Sequence, residues 1–262
     1  MSVVTRRAAR FPLRLDQVSP SQGAGTDGKS TGSGGLARPV GLGMDSDDIR
    51  LRMVRRLRDG GVRHQGVLDA MATVRRHVFL DAALAAQAYE DTSLPIGHGQ
   101  TISKPSVVAR MLELLFGGAS ARESASLGRV LEIGTGCGYQ AALLALLGRS
   151  VISIERVKPL HDKARYLLTG VRRDNVRLVF GDGILGHPPN APYDSIIAAA
   201  GGDSVAPAWL EQLAPLGRLV IPSQRPGSDG QILVVVDRDE SGFRQSLHDA
   251  VNFVPLKSGV VG

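Results

Sequence analysis

Apolar positions recur along the chain with two periods, and the change of period divides it. From Ser46 onward Ile49, Met53, Val54 and Leu57 fall at helical spacing, behind Ser46 as a cap and Asp47 and Asp48 in the first turn, which predicts an amphipathic helix ending at Gly60. A second helix is predicted over Gln65 to Thr73, with Val67, Leu68 and Met71 turned to a core, and Arg75 to Leu80 leads into a third around Asp81 to Ala88. Pro105 suits the first position of another, whose apolar stripe is Val107, Val108, Met111, Leu112 and Leu115. Short β-branched runs then take over at Val130 to Ile133, Val151 to Ile154, Val176 to Phe180, Asp194 to Ala200 and Arg218 to Ile221. Tyr139 to Leu147 reads as a helix leaving the first of them, Trp209 to Leu213 as a short helix, and Pro215 to Gly217 as a turn. Gln231 to Val236 suggests an antiparallel hairpin with the fifth strand. The pattern predicts an α/β fold, a doubly wound Rossmann-like sheet with an N-terminal helical cap and a C-terminal antiparallel hairpin.

The turn after the first strand, Glu132-Ile133-Gly134-Thr135-Gly136-Cys137-Gly138, decides the ligand class. A dinucleotide site would hold a pyrophosphate on the helix N-terminus, and Glu132, two residues before the first glycine, would repel it. The acid instead suits a ligand with a positive group. S-adenosyl-L-methionine has an ammonium beside a sulfonium, and the spacing is Gly-x-Gly-x-Gly rather than Gly-x-Gly-x-x-Gly, so the expectation is the sheet of a class I methyltransferase. Glu132 is expected near the methionyl ammonium, and Gly134, Thr135 and Gly136 at the close approach of backbone to cofactor. Glu155, ending the second strand about twenty residues past the first glycine, would accept the ribose hydroxyls. Asp182 and Gly183, after the third strand, would meet the adenine. Each feature alone is common. The three in order on successive strand ends argue against a sheet without a cofactor.

With 262 residues the chain has room for one large domain and an appended segment. Residues 1–43, rich in Gly, Ser, Arg and Pro, are expected to form a disordered basic leader; residues 44–262 form the methyltransferase domain, with 44–92 as helical cap and 93–106 as active-site loop. The net charge of +6 sits largely in that leader and in the helix from Arg50 to Arg58, and aromatics at 4% leave little from which to build a stacking platform, so no nucleic-acid partner is expected. The lone cysteine, Cys137, allows no internal disulfide and no cysteine-based metal cluster, and it fills the glycine turn; no metal is implied. No apolar run reaches membrane-spanning length and no secretory signal is present. The leader faintly resembles an organellar transit peptide, but a cytoplasmic location is the expectation, and a monomer the expected state.

The stretch Leu94-Pro95-Ile96-Gly97-His98-Gly99-Gln100-Thr101-Ile102-Ser103-Lys104-Pro105 reads as a polar loop too specific to be a mere connection. Ser103 taken alone caps the helix that follows; a capping serine can also face a ligand. Together with Val130 to Leu144, Ser153-Ile154-Glu155-Arg156 and Gly181-Asp182-Gly183, this loop resembles the protein-L-isoaspartate (D-aspartate) O-methyltransferases, a likeness running from about Asp47 to Leu256. Arg76-His77-Val78-Phe79, Leu219-Val220-Ile221-Pro222 and Phe253-Val254-Pro255-Leu256 are also similar. The loop is its most specific part. The resemblance implies a cytosolic repair enzyme that methylates the free α-carboxylate of L-isoaspartyl and D-aspartyl residues, with isoaspartyl-containing peptides and proteins as partners. Ser103 is expected to donate a hydrogen bond to the substrate carboxylate or to order the loop that does, while Thr101, Ile102 and the Gln100 backbone shape the cofactor and substrate pocket; the resemblance implies that Gln231 lies at the cofactor edge. An α-carboxylate has a reference pKa of about 3.3 to 3.7 and is already ionised at neutral pH, so no general base is needed.

Lys104 and Ser106 stand where the family more often has glutamine and an aromatic, Val74-Arg75 where Val-Pro is common, and Ala199 where threonine is common. The exit of the fourth strand, Ala198 to Gly202, lacks the Asp/Asn-Pro-Pro-aromatic tetrad of adenine-N6 methyltransferases. Two alternatives remain: an RNA or small-molecule methyltransferase of the same fold, and a non-catalytic cofactor-binding module.

Overall fold

The computed structural model describes residues 47–170, 174–224, 227 and 230–262; the predicted disordered leader lies outside them. Seven strands form one sheet in the order β5-β4-β3-β6-β7-β8-β9. These are β3 (Arg129–Ile133), β4 (Ser150–Glu155), β5 (Val176–Phe180), β6 (Tyr193–Ala198), β7 (Leu213–Gln224), β8 (Gln231–Asp239) and β9 (Gly242–Val251). The first five are parallel, with Val130 opposite Val151 on one side and Ser195 on the other. The last three run antiparallel in succession. The chain leaves β3 toward β4 and β5, then returns to lay β6 on its other side. The winding therefore reverses at β3, where the C-terminal strand ends open a crevice.

Side chains alternate between the two sheet faces, and each face closes its own core. Val130, Val151, Ile197, Val220 and Val235 pack with α1 (Asp47–Asp59), α2 (Gln65–Thr73), α3 (Pro105–Phe116) and α5 (Tyr139–Leu147). Leu131, Ile133, Ile152, Ile196, Leu219 and Val234 pack on the opposite face around Trp209 of α7 (Pro207–Gln212). Eight of the nine residues of α5 are buried, so it has no polar stripe, and its place after the glycine turn is what marks it as a helix. Glu132 shares the alternation of Val130 and so enters an apolar layer as an acid.

The third predicted helix, around Asp81 to Ala88, is instead a 3₁₀ turn over Ala82–Gln87, and the lead-in to it holds another over Arg76–Phe79. The Ala82–Gln87 turn buries no residue, so nothing rewards a longer helical face there. The predicted loop from Leu94 is a hairpin, with β1 (Leu94–Gly97) paired to β2 (Gln100–Ile102). His98 and Gly99 turn it with φ of 54° and 67°, and two positive φ values are what a two-residue type I′ hairpin demands. The predicted turn at Pro215 to Gly217 lies inside β7 as a bulge with Leu216 at φ 61°, because β7 keeps pairing with β6 on both sides of it. Among the described residues, α4 (Ala119–Ser124), α6 (Lys158–Thr169) and β9 had no counterpart in the reading of the sequence. For α6 the helical signal exists, in the buried positions Leu160, Ala164 and Leu168 at intervals of four.

The start of α3 is held from a distance. Asp91 accepts hydrogen bonds from the backbone N–H and the hydroxyl of Ser106, both at 2.8 Å, and so satisfies a first-turn donor that no local side chain caps. Asp91→Ala is expected to cost about 1 kcal/mol and to lower the midpoint of thermal unfolding by about 2–4 °C, measured by calorimetry. An unchanged midpoint would show that the remote cap contributes nothing.

Candidate active site

One cleft opens at the C-terminal ends of the central strands. Thr101, Ile102 and Ser103 line it from the hairpin side, Gly134, Thr135 and Gly136 from the turn after β3, Glu155 from β4, Gly183 from the turn after β5, and Val254 to Lys257 from the C-terminal tail. Sequence reasoning nominated all of these except the tail. Glu132, Asp182 and Gln231 are not among the lining residues.

The turn is shaped by its glycines and by one acid. Gly134 and Gly136 have φ of 89° and 56°, where a side chain is strained, and a Cβ on Gly136 would lie 3.2 Å from Ile96 of the hairpin. The Gly136 N–H donates to Glu155 Oε2 at 2.8 Å, and the Val157 N–H donates to Oε1 at 2.9 Å. Glu155 thus binds the ends of two neighbouring strands together. A carboxylate has about four lone-pair sites, so it retains capacity toward the cleft it lines.

Glu132 sits behind this turn and is wholly buried. Its Oε2 accepts from the Ser153 hydroxyl, which lies 2.6 Å from the Thr135 hydroxyl. When the acid is ionised Ser153 donates to it and Thr135 then donates to Ser153, so the Thr135 side chain helps hold the floor of the turn. Oε1 has no partner among the described residues. Burial pushes the carboxyl up to about 8, the charge of Glu155 adds to the rise, and the Ser153 hydrogen bond opposes it. The acid read as touching the ligand is therefore placed one layer further in, by the alternation of β3.

Two other nominated residues are occupied elsewhere. Asp182 accepts from the N–H of Ile184 at 2.9 Å and of Gly259 at 2.6 Å, so it shapes the turn of Gly183 and anchors the tail. Gln231 Oε1 accepts from the Phe253 N–H at 2.6 Å and holds the tail one residue before it enters the cleft.

Ser103 is not the helix cap. Lys104 holds that position without a side-chain bond, and Asp91 does the capping, which leaves the Ser103 hydroxyl on the cleft wall. The Ser103 carbonyl accepts from Arg76 Nη2 at 2.8 Å. Arg76, fully buried, also donates from Nε to the Ala88 carbonyl at 2.8 Å and lies over the Tyr139 ring at 5.0 Å. Burial draws its pKa below the ordinary value. Arg75-Arg76-His77 looks like a solvated basic run, and only its position against the apolar Val78 to Leu80 hints that one arginine turns inward.

A parallel sheet reversing at β3, a glycine turn on that strand and an acid on the next define a Rossmann-like methyltransferase. The family model of protein-L-isoaspartate(D-aspartate) O-methyltransferase matches residues 49–261, and the chain belongs to that family. The protein-L-isoaspartate O-methyltransferase of Methylibium petroleiphilum is 55% identical over 99% of both chains. That of Leptothrix cholodnii is 61% identical over 85% of this chain and 79% of its own. A solved structure of a protein-L-isoaspartate O-methyltransferase is 26% identical and superposes with a TM-score of 0.71 over 80% of this chain and 67% of that one.

Because the folded-state pKa of Glu132 is raised from its ordinary 4.5 to about 8, its contribution to stability is complete below 4.5 and is lost as pH rises through about 8. Glu132→Gln removes that loss. The variant is expected to unfold several degrees above the parent at pH 9 and near it at pH 5, by scanning calorimetry without ligand. A deficit equal at both pH values would mean that the acid is not a buried titrating group.

Proposed function

We infer that this chain transfers a methyl group from S-adenosyl-L-methionine to the free α-carboxylate of L-isoaspartyl, and D-aspartyl, residues in damaged proteins. The observation that carries the reading is that Thr101, Ile102 and Ser103 of the hairpin and Gly134, Thr135 and Gly136 of the glycine turn line one cleft. A methyl donor and an acceptor carboxylate can then meet between the two walls.

The residues present fit the cofactor. The positive φ of Gly134 and Gly136 bares the backbone of the turn, the spare lone pairs of Glu155 suit ribose hydroxyls, and Gly183 gives a side-chain-free edge for the adenine. The buried Oε1 of Glu132, without a partner among the described residues, lies behind the turn, and the carboxyl gains charge there when a cationic methionyl group approaches. S-adenosyl-L-methionine brings to such a site an electrophilic methyl on a sulfonium. Asp182 and Gln231 also fix the tail over the cleft.

What the chain must add is orientation. The acceptor oxygen is anionic at neutral pH, so proton abstraction is not needed, and no histidine among the described residues lines the cleft. The Ser103 hydroxyl donates to the substrate carboxylate. Its position is set by the hydrogen bond from Arg76 to the Ser103 carbonyl, so a buried guanidinium steadies the group that aligns the nucleophile. The hairpin acts as the active-site element of residues 93–106, under the helical cap of 44–92. Substrates are isoaspartyl peptides and proteins, the working form is a monomer, and the compartment is the cytoplasm. No helix among the described residues is long and apolar enough to cross a membrane.

A labelled methyl donor offered with paired peptides containing Asp or isoAsp is expected to give a base-labile ester on the isoAsp peptide alone; transfer only to RNA, or donor binding without transfer, would overturn the assignment. Ser103→Ala is expected to lower kcat about tenfold or more, the worth of a hydrogen bond to a charged group, while the cofactor Kd stays within about twofold. Parallel loss of kcat and cofactor affinity would remove Ser103 from the substrate side.

A further inference from the structure

The cleft does not end at Ser103. That residue also lines a surface groove in which Asp91, Thr92 and Ser93 face Val251 and Asn252. Asp91, Lys104, Val107 and Val251 then carry the groove into a second hollow bounded by α1, α3 and β9. Thr92, Ser93 and Asn252 lie outside the strands and are exposed or half-buried, which leaves main chain at the surface on both sides of the groove. An extended polypeptide whose damaged residue sits at Ser103 can run along such walls through main-chain contacts that tolerate many side chains.

Charge along the groove is uneven. Arg110 is paired with Asp249 at 2.8 Å and Glu113 at 3.2 Å. Asp91 is taken up by Ser106, and Arg56 donates to the Tyr89 carbonyl at 2.7 Å. Lys104 is exposed, next in sequence to Ser103, and its ammonium has no hydrogen bond or ion pair among the described residues. The walls thus present Arg56, Lys104 and Arg110 against Asp91 and Asp249, with Glu113 on Arg110, and the one ammonium left unengaged among these described residues, that of Lys104, stands beside the reacting position.

We propose that this groove receives the polypeptide flanking the isoaspartyl residue, and that Lys104 selects substrates carrying a carboxylate side chain within a residue or two of the damaged one. The proposal rests on the methyltransferase reading above. An exposed lysine pairing with a flexible acidic side chain is a weak, salt-screened interaction, so selectivity of a fewfold rather than an absolute requirement is the scale to look for.

The test uses the full chain and isoaspartyl peptides that differ only in bearing Glu, Ala or Lys at one of the two positions on either side of isoAsp. At one or more of these positions the Glu peptide is expected to have a KM about two- to fivefold below that of the Lys peptide, with the difference shrinking in 0.5 M salt. Lys104→Gln should level the two, and Lys104→Glu should invert them. Equal KM values at all four positions, or a preference that survives Lys104→Gln, would overturn the role of Lys104 and leave the methyltransferase reading standing. Absence of methylation from every peptide would instead remove that reading, and this inference with it.

Discussion

The carboxylate of Glu155 ties the glycine turn to the sheet. Its two oxygens hold the N–H groups of Gly136 and Val157, so the turn after β3 and the start of the segment after β4 move as one body. Backbone amides in a strained turn are satisfied by a neighbouring element or by water, and a turn satisfied by water would not keep a shape. Every other surface of the cleft is measured from this point. The hairpin residue Ile96 rests close over Gly136, and the tail follows from the anchors at Asp182 and Gln231.

The opposite wall depends on a buried cation. Arg76 spans from the Ala88 carbonyl to the Ser103 carbonyl, and its guanidinium lies over Tyr139, the first residue of the helix that leaves the glycine turn. One side chain thus registers the helical cap, the hairpin wall and the cofactor helix against one another. Burying a guanidinium is costly, and two carbonyls and a ring face offset only part of it. The cost is borne where it fixes the distance between the two walls.

The sequence showed the sheet more fully than the cleft, for physical reasons. Parallel strands buried on both faces are written as apolar runs, so β3, β4 and β6 could be read locally, and the half-buried edge strand β5 from its β-branched residues, as could α1, α2 and α3 from their stripes. The hairpin could not, because its turn is His98-Gly99 rather than the Asn-Gly or Asp-Gly that announces two positive φ values, and its glycines and prolines resemble those of a loop. β9 was missed because an edge strand with exposed residues has little hydrophobic pattern to show. Asp91 as a cap and Arg76 as a strut act across 15 and 27 residues, and contacts at that range leave no periodic trace. The capping role read for Ser103 failed for the same reason, since the real cap came from elsewhere in the chain.

Two acids with the same charge do different work because of the strand positions they occupy. Glu155 ends its strand, buried but within reach of the backbone that follows the strand ends, and takes two amide hydrogen bonds. Glu132 lies one residue inside its strand end, on the face packed against α5, and gets a single hydroxyl. Hydrogen bonds to the charged form favour ionisation and burial opposes it, and at Glu132 burial wins, driving the carboxyl to about 8. A cation brought to the glycine turn would shift that balance back toward the carboxylate. Cofactor binding and the charge of a residue that does not line the cleft are then linked, and the energy of charging Glu132 becomes part of the affinity for a cationic ligand while contributing nothing to a neutral one.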